Sequence, residues 1–107
     1  MTDRIMTAGD TSPTLEVELL PAPINLTGAA VTFSARDALT GAVVIDGAAA
    51  VIGGDPTQGI VSYAWQAGDL AAPRRLECEF RVVFSDGAIE TFPAGRKLVV
   101  EVVAGIG

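Results

Sequence analysis

The sequence predicts an all-β fold, an antiparallel sandwich of about seven short strands. Three observations predict it: apolar residues recur at period two in segment after segment, Gly and Pro punctuate the chain every eight to fifteen residues, and almost no stretch repeats at helical spacing. The chain of 107 residues suits one domain, 1–107, with one core. Half of it is hydrophobic and 19% is charged, far from the composition of disordered proteins.

Thr14-Leu15-Glu16-Val17-Glu18-Leu19 alternates, with Leu15, Val17 and Leu19 on one face and the glutamates on the other, and Pro21 and Pro23 close it. Val31, Phe33 and Ala35 alternate with Thr32, Ser34 and Arg36 in a second strand that Gly28 introduces and Asp37 closes. Val43-Val44-Ile45 and Ala50-Val51-Ile52 flank Asp46-Gly47, a spacing that predicts a hairpin because Gly accepts the positive φ of a tight turn. Asp55-Pro56-Thr57-Gln58-Gly59 reads as a turn and leads into Val61, Tyr63 and Trp65, the apolar face of the next strand.

Gln66 to Pro73 is the one segment with room for a helical turn. Leu76, Cys78, Phe80, Val82 and Phe84 then alternate with polar residues, the strongest strand signal in the chain. Asp86-Gly87 returns it into Ile89-Glu90-Thr91-Phe92 as a hairpin, and Leu98 to Val103 forms the last strand after Pro93-Ala94-Gly95. Together these elements predict an immunoglobulin-like sandwich with Trp65 and Phe80 in its core.

Catalysis has few places to reside. No histidine occurs, which removes the commonest general base and the commonest nitrogen ligand for metals. Cys78 is the only cysteine, so no intrachain disulfide forms, and its apolar face predicts a buried, inert thiol. Glu16 with Glu18 and Glu77 with Glu79 take the polar positions of alternating strands, so a solvated outer face is expected over an acid/base pair. Asp10, Thr11 and Ser12 read as turn residues, since no acidic loop supplies enough oxygen ligands for calcium. Gly53-Gly54 and Gly105-Ile106-Gly107 lack the strand and helix setting of a nucleotide site, and Tyr63 and Trp65 share a core face with Val61. No catalytic residue, cofactor or metal site is expected.

Seven basic against thirteen acidic residues give a net charge of −6, which disfavours nucleic acid. The start, Met1 to Met6, has no apolar run of signal-peptide length, and the longest apolar stretch, Gly41 to Gly54, is broken by Asp46 and too short to span a bilayer, so a protein made in a reducing cytoplasm without membrane contact is expected. The sequon Asn25-Leu26-Thr27 matters only in a secretory compartment.

Leu98 to Val103 is apolar on both faces: Leu98, Val100 and Val102 point one way, Val99 and Val103 the other. Val99, Glu101 and Val103 are therefore the candidate protein interface, covered either within the chain, by the segment around Ile5 and Met6 or by a loop, or by a partner, in a homo-oligomer or at a docking site on another protein.

Several ordered pieces resemble a known family. Ile5 to Leu15, Leu26 to Phe33, Gly41 to Asp46, Gly59 to Trp65, Glu79 to Val82, and Asp86-Gly87 with Glu90 to Pro93 resemble small tailed-phage virion proteins related to the N-terminal domain of baseplate upper proteins. The resemblance implies a structural component of a bacteriophage or prophage particle, in the baseplate, tail or head, located in the virion and bound to other virion proteins. The alternative expectation is a carbohydrate-binding or adhesin-type recognition module.

Overall fold

The structure, a computed structural model, describes residues 2–19, 24–93 and 97–106. The strands are β1 (Arg4–Thr7), β2 (Leu15–Glu18), β3 (Ala30–Asp37), β4 (Val43–Ala49), β5 (Val51–Ile52), β6 (Ile60–Tyr63), β7 (Arg74–Val83), β8 (Ile89–Phe92) and β9 (Leu98–Val103). They form two sheets, β1-β9-β7-β3-β4 with β8 also on β7, and β2-β6-β5. The expected all-β, immunoglobulin-like sandwich is thus the fold. It differs from the expectation in having more strands and one parallel pair, β1 on β9.

Alternation places the core. Phe33 in β3 and Phe80 in β7 point from the large sheet toward Tyr63 in β6 and Trp65 just beyond it. Phe33 stacks on Tyr63 with ring centroids 4.5 Å apart and meets Phe80 at 5.0 Å. The Trp65 ring stands edge-on to both Phe33 and Tyr63. Trp65 and Phe80 are buried, as the sequence predicts, among Leu15, Leu26, Val61 and Leu76. Rings drawn from both sheets hold the sandwich closed, because aromatic pairs in offset or edge-on geometry add to the gain from burying their area.

The expected Asp46-Gly47 hairpin is not formed. Residues 43–49 run on as a single strand against β3, with register shifts between Phe33 and Arg36, and the chain then crosses to the other sheet as β5. Gly47 does take the left-handed φ of 66°. It uses that freedom for a bulge, and its N–H donates to Ser34 Oγ at 2.9 Å. A bulge and a turn demand the same residue type, so the dipeptide alone does not distinguish them.

The 55–59 turn is a 3-10 turn over Pro56–Gln58, with Asp55 Oδ1 accepting from Thr57 N–H at 3.0 Å. Gly59 ends it at φ 67°, where a Cβ would come within 3.2 Å of the Ile24 backbone. Residues 66–73 contain no helical turn; the Asp69 carboxylate closes that loop. The Asp86-Gly87 hairpin joins β7 to β8 as expected. The proposed stops at Pro21 and Pro23, and Ala94-Gly95 before β9, lie outside the described residues.

Candidate functional site

The outer face of the large sheet carries the residues singled out in the last strand. Leu98, Val100 and Val102 are buried in the core, which turns Val99, Glu101 and Val103 outward. β1 lies beside β9 in parallel register, Ile5 opposite Glu101 and Met6 opposite Val102. Met6 is buried, so this strand of four residues is anchored by one thioether side chain. Such burial stabilises by roughly 1.5–3 kcal/mol.

The segment before β1 partly covers Val99. Asp3 N–H donates to the Val99 carbonyl at 2.8 Å, and Asp3 Oδ2 accepts from Val99 N–H at 2.8 Å. Thr2 Oγ1 donates to Glu101 Oε2 at 3.3 Å. Val99 ends half-buried, whereas Val103 is 38% and Ile5 63% exposed. Ile5, Val99 and Val103 therefore surround Glu101 on one corner of the sheet. Sequence reasoning placed Ile5 there only as a possible cover for Val99; the parallel pairing puts it alongside as part of the same surface.

Next to this corner, cross-strand ion pairs line a shallow concavity of about 240 Å³ bounded by Ser34, Arg36, Asp46, Glu77, Glu79 and Lys97. Arg36 Nε donates to Glu77 Oε1 at 2.9 Å, and Lys97 Nζ donates to Glu79 Oε2 at 2.7 Å. The two glutamates thus face different cations across the sheet, on the solvated face the alternation predicts. Pairs this exposed contribute about 0–1 kcal/mol each. Register alone brings these partners together, so no spacing within the sequence marks them. Glu16 and Glu18 likewise lie exposed on the outside of the small sheet.

Cys78 is the one thiol of the chain, and it is buried. Burial, with smaller contributions from the charges of Asp3 and Glu77, pushes the Cys78 thiol up to about 12. The thiolate that would attack or ligate is therefore suppressed. No group of three or more His, Cys, Asp or Glu side chains arranged to hold a metal occurs among the described residues. Asn25 Oδ1 accepts from Thr27 N–H at 3.0 Å, which makes the sequon a local turn. No helix among the described residues is long and apolar enough to cross a membrane.

These features define an immunoglobulin-like β-sandwich whose accessible chemistry is that of its outer faces and edges. No protein-family model and no curated protein matches the chain. Among solved structures the chain is similar to CopC from Methylosinus trichosporium OB3b, with a TM-score of 0.57 and 17% identity over 100% of this chain and 89% of that one. At that identity the likeness is one of fold.

The match corrects the expected function. The fold extends along the whole chain onto CopC, which is not a phage protein, so the role as a structural component of a phage particle is set aside. The carbohydrate-binding alternative is set aside with it: Tyr63 and Trp65, the aromatic pair that could have stacked on a sugar, are both buried between the sheets.

Proposed function

We propose that the chain is a non-catalytic binding domain that associates with further copies of itself through the β1/β9 corner of its large sheet. The observation that carries this reading is the grouping of Ile5, Val99 and Val103 around Glu101 on one outward face. Single exposed apolar residues are ordinary, but several on one face beside a polar rim favour a protein contact. Asp3, Glu77 and Arg75 supply that rim. The lack of histidine and the sealed thiol support a role without catalysis, and the acidic balance argues against nucleic acid as the partner.

The test is the Val99→Glu, Val103→Glu double variant, followed by circular dichroism and sedimentation. A folded variant of lower mass than the wild type is expected. Because Val99 is half-buried, Ile5→Glu with Val103→Glu serves as a second variant that leaves the Asp3 contacts in place. A folded variant whose oligomeric state is unchanged would remove this corner as the interface.

A further inference from the structure

β2 has a strand on one side only. Leu19 N–H donates to the Gly59 carbonyl at 2.8 Å, in the register that sets Leu15 opposite Tyr63 and Val17 opposite Val61. Alternation then directs the main-chain groups of Leu15, Val17 and Leu19 toward β6 and those of Glu16 and Glu18 away from it. Among the described residues no strand lies on that side, and no turn or loop hydrogen bond reaches either glutamate.

The charge around this edge is one-sided. Every basic residue described sits on or beside a strand of the large sheet: Arg4 in β1, Arg36 in β3, Arg74, Arg75 and Arg81 in β7, and Lys97 before β9. Strands β2, β5 and β6 have none, and no Lys or Arg occurs between residues 5 and 35 or between 37 and 73. Both carboxylates of β2 are exposed and make no ion pair among the described residues. The free main-chain groups and the unneutralised side chains therefore belong to the same two residues.

We propose that this edge accepts an extended basic segment of a partner protein as an added strand. Main-chain hydrogen bonds to Glu16 and Glu18 supply the attachment, and basic side chains at alternate positions of the incoming strand meet the two carboxylates. Opposite charges facing one another across a strand pair stabilise it and like charges oppose it. The same two glutamates thus bar a second copy of β2, whose own glutamates would oppose them, and admit a basic strand. Charged side chains on a short edge are a known guard against indiscriminate pairing, and here the guard selects by sign.

The experiment is an NMR titration of the full isotope-labelled chain at low salt with three short peptides. One alternates lysine and valine, one alternates glutamate and valine, and one is the lysine peptide N-methylated at alternate residues on its hydrogen-bonding edge. The lysine peptide is expected to shift the amides of Glu16 and Glu18 and to slow their exchange, while the other two bind at least about tenfold more weakly. Glu16→Lys with Glu18→Lys is expected to reverse the charge preference, and Glu16→Gln with Glu18→Gln to abolish it, with folding read from the same spectra. Three results would each overturn the proposal: no binding of the lysine peptide, shifts centred away from β2, or equal binding of the N-methylated peptide, which would mean charge attraction without strand addition.

Discussion

The Tyr63 hydroxyl donates a 2.5 Å hydrogen bond to Asp69 Oδ2, the same oxygen that accepts from the Gln66 N–H at 2.7 Å. One half-buried carboxylate therefore ties the end of β6, and with it the ring stacked on Phe33, to the loop that leads into β7. Burial first, then the hydrogen bond to Asp69 and its negative charge, push the Tyr63 phenol well above its ordinary value of 10.0. An unfolded tyrosine ionises near pH 10 while the folded one stays protonated. Its contribution to stability is thus complete below about pH 10 and is lost as the pH rises further. Absorbance titration at alkaline pH is expected to show Tyr63 ionising only as the protein unfolds, and Tyr63→Phe to lower stability by about 1–2 kcal/mol in denaturant melts. Ionisation of the folded protein near pH 10 would contradict both.

The aromatic cluster sets the largest single effect. Phe33→Ala or Phe80→Ala is expected to destabilise by about 3–5 kcal/mol, because each removes a ring between two sheets that cannot close fully over the space. Trp65 Nε1 is buried and has no hydrogen-bond partner among the described residues. Native tryptophan fluorescence is accordingly expected to be blue-shifted and resistant to acrylamide, and a red-shifted, readily quenched emission would place the indole elsewhere.

Cys78 and the missing histidines make the behaviour toward thiol reagents and metals predictable. Folded protein is expected to leave a disulfide exchange reagent unreacted until denaturant is added. The thiol rises from its ordinary 9.0 to about 12, so the associated stability is present below pH 9 and is lost between those values as the pH rises. Millimolar Cu(II) or Zn(II) is expected to leave the melting temperature unchanged, since a metal that bound the folded state alone would raise it. A saturable upward shift would reveal a ligand set that the described residues do not display.

Each copy carries a charge of −6, so copies repel at long range, whereas the contact proposed at the β1/β9 corner is apolar. Added salt screens the first and leaves the second, with a Debye length of about 10 Å at 0.1 M falling to about 3 Å at 1 M. Self-association is expected to strengthen from low to moderate salt. Weakening over that range would mean that ion pairs, rather than Ile5, Val99 and Val103, hold the copies together.

Much of the fold was legible because one face of each main strand is buried and the alternation is strict. Leu76 to Phe84, Val31 to Ala35 and Leu15 to Leu19 all lie where period two puts them. What escaped was decided by partners distant in sequence. β1 has four residues and no distinctive pattern, and it is a strand because β9 offers an open edge with a pocket for Met6. Ala50-Val51-Ile52 is legible as a strand, but β5 pairs with β6 in the small sheet where the pattern expects it against Val43-Val44-Ile45. Asp46-Gly47 lies at a bulge where the pattern predicts a hairpin, because both make the same local demand for a left-handed glycine. The doubly apolar pattern of Leu98 to Val103 did expose the candidate corner, but the contribution of Ile5 depends on a parallel register that no local signal encodes.

The molar mass of the wild-type chain in solution tests the central claim most directly. Sedimentation equilibrium over a range of concentrations at moderate salt is expected to give a mass that rises above the 11.0 kDa of one chain toward a whole-number multiple of it. A mass that stays at 11.0 kDa at every concentration and salt would contradict self-association through the Ile5, Val99 and Val103 corner.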